Sequence, residues 1–289
     1  MYPAKFDYYR ANSVSEAVSL LQQHGGDARL LAGGHSLLPM MKLRLAQPAV
    51  LIDIGRITDL RGVSPREDGG YRIGAMTTHA EVASNEDLQR YQALIDAASI
   101  IGDVQVRNRG TIGGSLAHND PTADYPAVVL ALDATINTVG PNGARAIPAD
   151  EFIVGFLETA LEPGEIITSV DLPAQSGNTG SAYAKFENPA SGYAIVGVAA
   201  RVAVGDNGKA QDVRVAVTGA ADSASRLPEV ESALEGQPLT AEKIASAAQQ
   251  AGQGLTFNSD IHASEEYRAH LTKVLTRRAL EQAATRARG

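Results

Sequence analysis

The sequence predicts an α+β fold built from more than one compact unit, and three observations carry that expectation. Short apolar strands alternate with helical spacing through the first 175 residues. Period-2 alternation marks residues 181–221, and three helical segments close the chain. At 289 residues the chain also exceeds the commonest single-domain size.

Taken in order, Ser13-Val14-Ser15-Glu16 reads as a capping box that opens a helix, and Gly25-Gly26 ends it. Residues 28–32 form a short apolar strand broken by Gly33-Gly34. Residues 35–46 then read as a short helix interrupted by Pro39, and residues 49–55 as strand again. This β-α-β order defines a unit over about residues 1–55. A second unit starts after the loop at 63–70. Residues 71–75 alternate as a strand, Thr78-x-x-Glu81 caps a helix, and residues 88–102 carry helical spacing. Residues 123–134 follow as a helix with an early proline, then 135–140 and 165–173 as strands. The Gly/Ser/Asn stretch at 174–180 reads as a linker. It divides a first domain, 1–175, with subdomains at about 1–55 and 56–175, from a second at 176–289. In the second, residues 181–187, 193–205 and 210–221 alternate as antiparallel strands, with 205–209 as a hairpin turn. Helical segments at 227–236, 240–252 and 264–284 complete it.

Composition narrows the function. Net charge is −8 and no block of Lys/Arg occurs, which argues against nucleic acid or an anionic membrane surface as partner. No apolar stretch approaches the roughly 18 residues of a membrane span, and residues 1–13 lack a signal-peptide core. These 289 residues contain no cysteine, which excludes disulfides, thiolate zinc, a cysteine nucleophile and any iron–sulfur cluster held by this chain. The six histidines are scattered without an H-x-x-x-H pair, so no metal site is expected. A cytoplasmic location follows, with a peripheral position at the inner membrane face left open through a complex.

Two phrases carry the chemistry. Residues 30–38 read LLAGGHSLL and residues 110–126 read GTIGGSLAHNDPTADYP. Paired glycines after a strand permit positive φ and remove Cβ atoms that would block a ligand. Successive N–H groups can then converge as an anion nest, holding phosphate without Lys or Arg. Either pair alone is an ordinary turn. Two in similar contexts, one per unit, suit the two phosphates of a dinucleotide, with Ser36, Thr111 and Ser115 as hydroxyl donors. The phosphate signatures G-x-x-x-x-G-K-[ST] and G-x-G-x-x-G between strand and helix are absent.

Residues 32–46 and 107–128 closely resemble the FAD-binding medium subunits of molybdenum hydroxylases, nearest to the carbon monoxide dehydrogenase medium chain and the wider xanthine dehydrogenase family. The likeness runs from Phe6 to residue 280. It implies a two-subdomain FAD-binding fold of the PCMH type, followed by a three-stranded antiparallel sheet with a three-helix cluster. It assigns Ala32, Gly33, Gly34, His35 and Ser36, and Thr111, Ile112, Gly113, Gly114 and Ser115, to the pyrophosphate loops. Asp124 matches an acidic residue that hydrogen-bonds a ribose hydroxyl. Ile101 and Leu161 match apolar contacts to the flavin and adenine portions. Lys185 matches a cation near the isoalloxazine, and Tyr193 an aromatic ring over one flavin face. Many relatives have Asn where Ser115 stands. The resemblance also implies non-covalent FAD, against a histidyl linkage at His35.

Each residue has a plainer role open to it. Asp124 can cap the helix that follows, Lys185 can be a solvated strand lysine, and Tyr193 can pack a strand. Residues 272–280 read as a helix end whose basic last turn complements the dipole. No nucleophile, general base or metal cluster for substrate chemistry is visible, so a flavin would carry the chemistry. By the resemblance, a large molybdenum–pterin subunit oxidises substrate and a small subunit with two [2Fe–2S] clusters passes the electrons on. This chain's FAD then discharges them to an external acceptor, most simply within a dimer of heterotrimers. A stand-alone PCMH-type flavin oxidase is the alternative, and a non-enzymatic flavin carrier a third possibility.

Overall fold

The structure is a computed structural model and describes residues 2–288. Strand β1 (Asp7–Arg10), helix α1 (Val14–His24), strand β2 (Ala28–Leu31), helix α2 (Leu37–Lys42) and strand β3 (Val50–Asp53) form the first unit. Its sheet is parallel with order β1-β3-β2. The β-α-β reading holds for β2 and β3, but β1 went unseen. All four of its residues are exposed, so no apolar alternation marks it, and only pairing with β3 makes it a strand. Ser13 caps α1 by accepting from the Glu16 N–H. The Glu16 carboxylate reaches the N–H of Asn12 rather than that of Ser13, so the box is not reciprocal. Pro39 does not interrupt α2. It lies in the first turn, where the missing N–H has no helical partner to lose.

The second unit holds β4 (Val63–Pro65), β5 (Tyr71–Gly74), α3 (His79–Ser84), α4 (Gln92–Ile100), α5 (Val104–Arg107), α6 (Ile112–His118), α7 (Asp124–Ala131), β6 (Thr135–Gly140) and β7 (Gly143–Pro148). After α8 (Ala149–Phe152) and the small hairpin of β8 (Ile153–Gly155) and β9 (Glu158–Thr159), β10 (Ile166–Leu172) returns to the centre. The sheet is antiparallel throughout, with order β4-β5-β10-β6-β7. Its edge strands β4 and β7 are short and largely exposed, so no apolar alternation marks either in the sequence. Thr78 and Glu81 form the expected reciprocal capping box.

The last unit contains the three expected long antiparallel strands, β11 (Thr179–Glu187), β12 (Ala194–Val204) and β13 (Ala210–Thr218), and a two-residue strand β14 (Ser225–Arg226) extends the edge. Helices α9 (Pro228–Leu234), α10 (Ala241–Ala248) and α11 (Glu265–Arg286) cover one face. The other face lies on α4 and α7, where Tyr183, Ala199 and Ala216 join the core of the second unit. Strand β12 is therefore buried from Ala194 to Val202 rather than on alternate positions. Polar clamps reinforce the junction. Arg286 donates two bonds to Asp96 at 2.6 and 2.9 Å, and the Ala93 N–H donates to Ser181 Oγ. Arg277 and Arg278 lie mid-helix in α11, which runs on to Arg286, so they are not its basic last turn.

Candidate functional site

A cleft of about 920 Å³ runs between the first two units and is closed at one end by the loop before β12. Small-molecule sites span roughly 300–1,000 Å³, so this one suits a long ligand. Both glycine loops line it.

The first loop follows β2. An added Cβ on Gly33 would run into the Arg109 carbonyl oxygen, 2.8 Å from its carbon and 2.9 Å from Gly110 Cα. Gly33 thus lets the two loops touch through their backbones. Gly34 has φ +78°, a conformation that costs a side-chain-bearing residue strain. Among the described residues, the N–H groups of Gly33, Gly34, His35 and Ser36 have no protein acceptor. These amides are left free for a ligand, as an anion nest requires.

The second loop works differently. Its N–H groups are already committed: Ile112 to Thr77 O, Gly113 to Ala75 O, Gly114 to Thr111 Oγ1 and Ser115 to Thr111 O. Gly113 exists for packing, because a Cβ there would lie 2.5 Å from Ala75 Cβ. Ile112 is turned wholly into the core and does not line the cleft. The expectation of a second nest is corrected: this loop offers the cleft the Thr111 and Ser115 side chains and the bare face of Gly114, not free amides.

Asp124 does not cap α7. Ala123 is the N-cap, and the buried Asp124 carboxylate accepts from Tyr183 Oη at 2.6 Å and Lys185 Nζ at 3.2 Å. Burial pushes this carboxyl upward, while the Lys185 ammonium and the Tyr183 hydroxyl pull it back. Lys185 is neither solvated nor in the cleft lining. Its side chain is 2% exposed, and its ammonium donates to Asp124, Ile100 O and Gly192 O. Lys185 thus ties Asp124 to the backbone at Ile100 and Gly192. Tyr193 precedes β12, is 41% exposed and lines the cleft. Burial and the Asp120 charge push its phenol up, and the nearby Ser36 of the first loop pulls it back. Ile101 and Leu161 are apolar residues of the cleft lining.

Among the cleft residues that the sequence reading did not single out are His79, His118 and Asp120. Thr78 drew notice only as a cap, and the next residue's direction could not be known from it. His79 is 5% exposed, and burial, aided by the charges of His35 and Arg107, pushes it down to about 4. The unfolded chain takes up this proton near pH 6.5, the native chain only near 4. Between those values the unfolded state binds more protons, so stability falls as pH falls. The expected loss from pH 7 to pH 4 is roughly 3 kcal/mol from this group. Denaturant titrations at pH 7, 5.5 and 4.5 should show a flatter dependence in His79→Leu than in the parent. Equal slopes would show that His79 is not responsible.

Free backbone amides, apolar walls and a tyrosine in the lining suit a nucleotide-type ligand. Residues 4–175 match the family described as the FAD binding domain in molybdopterin dehydrogenase, and residues 181–283 the CO dehydrogenase flavoprotein C-terminal domain. The chain belongs to the FAD-binding medium subunits of the carbon monoxide dehydrogenase and xanthine dehydrogenase family, and it is an oxidoreductase subunit. It is 42% identical to the carbon monoxide dehydrogenase medium chain of Hydrogenophaga pseudoflava over 98% of each chain. It is 38% identical to the nicotine 6-hydroxylase medium subunit of Paenarthrobacter nicotinovorans, covering 96% of this chain and 97% of that one. Among solved structures, carbon monoxide dehydrogenase from Hydrogenophaga pseudoflava superposes with a TM-score of 0.94 at 42% identity, covering 99% of both chains. Quinoline 2-oxidoreductase from Pseudomonas putida 86 gives 0.92 at 31% identity, again covering 99% of both.

Proposed function

We propose that this chain is the electron outlet of a molybdenum hydroxylase, holding FAD non-covalently in the cleft and taking electrons from [2Fe–2S] clusters on a small partner subunit. A large molybdenum–pterin subunit oxidises the substrate, and the assembly is a dimer of heterotrimers in the cytoplasm, free to sit peripherally at the inner membrane face. No helix among the described residues is long and apolar enough to cross a membrane. FAD supplies the redox chemistry when bound, accepting electrons and passing them to an external acceptor.

The observation that carries the proposal is the first loop, whose four N–H groups have no protein acceptor and whose residues line the cleft, so that phosphate could be held without a cation. In this assignment Ala32–Ser36 bind the pyrophosphate through backbone, and Thr111, Gly114 and Ser115 complete it. Ile101 and Tyr193 face the flavin, Leu161 the adenine, and Asp124 a ribose hydroxyl. Lys185 acts through Asp124 and the carbonyls it holds. The cofactor domain is residues 1–175, and the flavoprotein C-terminal domain is 176–289.

The test is anaerobic bleaching of the flavin absorbance. The FAD-loaded chain alone should bleach with dithionite but not with carbon monoxide, aldehydes or purines, and co-expressed cluster and molybdenum subunits should restore bleaching by the complex's substrate. Acid precipitation should release all the flavin as intact FAD. Substrate bleaching by the isolated chain would favour the stand-alone oxidase, and flavin retained in the pellet would overturn non-covalent binding.

A further inference from the structure

The imidazole of His79 is fixed in the cleft wall. Its backbone N–H donates to Gly110 O at 3.0 Å, and its ring meets Tyr125 edge-on at 5.2 Å. The Nε2–Cδ2 edge faces Gly110, itself a cleft residue. A Cβ at that position would lie 2.5 Å from Nε2, so the glycine leaves room for the ring. Nδ1 is sealed on the other side with no partner among the described residues.

We propose that His79 is a ligand-binding residue of the cleft, donating its Nε2–H to an acceptor atom of bound FAD. This rests on the FAD reading above. The charges that bear on the ring are those of His35, from the first loop, and Arg107, from α5, and both oppose a second proton. A neutral imidazole carries one N–H. Placed on Nδ1, it would be a sealed donor without an acceptor, which costs about 1–3 kcal/mol. Placed on Nε2, it lies on the ring edge toward Gly110 in the cleft lining, the side on which a ligand oxygen or nitrogen can accept. An unfilled lone pair is the lesser cost, since orphaned buried N–H groups are rarer than under-used acceptors. The ring therefore presents a preorganised neutral donor beside the two loops.

Two measurements on the full chain test this. In protein labelled with ¹⁵N-histidine, long-range ¹H–¹⁵N correlation of the FAD-free chain at pH 7 should show His79 protonated on Nε2 only. The resonance is assigned by its loss in His79→Gln, and it should shift when FAD is added. FAD affinity, by fluorescence titration, should fall at least about 10-fold in His79→Leu, the equivalent of one such hydrogen bond. His79→Gln, whose amide nitrogen reaches the Nε2 position, should restore most of it, and His79→Asn should not. A thermal melt of each variant separates lost binding from lost folding. An Nδ1–H tautomer overturns the inference, as does parental affinity in a folded His79→Leu. If the unmodified chain fails to bind FAD, the cofactor reading falls with it. If only the His79→Leu comparison fails, this inference falls alone.

Discussion

Gly33→Ala should lose both FAD loading and several degrees of thermal stability, although it adds one methyl group. The added carbon has nowhere to go. It would run into the Arg109–Gly110 peptide, meeting the Arg109 carbonyl and, at 2.9 Å, Gly110 Cα, and backbone cannot rotate away as a side chain can. Relief requires separating the two loops, which opens the cleft. Overpacking against backbone costs about 1–3 kcal/mol and occasionally more, and the rigid neighbours put this site at the upper end. Gly26→Ala is the control, because that glycine also lines the cleft yet has nothing within 4 Å of its added Cβ. It should change stability by no more than about 0.5 kcal/mol. Differential scanning calorimetry with flavin quantification reads both effects. Equal behaviour of the two variants would mean that the loops do not depend on this approach.

Lys185→Met should be costlier still, by about 3–5 kcal/mol, because it leaves the Asp124 carboxylate buried with only Tyr183 to satisfy it. It also frees the carbonyls of Ile100 and Gly192, so the cleft mouth should loosen and Tyr193 should shift. The pair acts as a unit, so Asp124→Asn combined with Lys185→Met should cost clearly less than the sum of the single losses. Burial already pushes Asp124 up, and without Lys185 it rises further. A carboxyl raised above its unfolded value is most compatible with folding at low pH. The Lys185→Met deficit should therefore narrow from pH 8 to pH 5. Urea unfolding of the four proteins at both pH values measures this. Additive losses with no pH dependence would reduce Lys185 to ordinary strand packing.

Much of the molecule was legible in residue order because the signals were local. Thr78 and Glu81 are three residues apart and cap one helix turn, and the alternation at residues 181–221 marks a strand set wherever it packs. The missing cysteines rule out thiolate-held clusters on these residues regardless of fold. The paired glycine loops announced a backbone-lined site for the same reason, since glycine at such spacing is a statement about φ and about space.

What lay outside that reach depended on contacts between distant residues. Exposed edge strands such as β1 and β7 exist only because a neighbour supplies the hydrogen bonds. The two glycine pairs look alike in sequence, yet one exposes its amides and the other spends them on Ala75, Thr77 and Thr111, a difference set by which strand each loop meets. Asp124 and Lys185 are 61 residues apart, and their ion pair forms only when α7 docks on the sheet of the last unit. His79 is a donor into the cleft rather than a surface histidine because Gly110, from a separate loop, makes room beside it while Tyr125 holds the ring. Local chemistry named the ligand class; the packing of the three units chose which atoms face it.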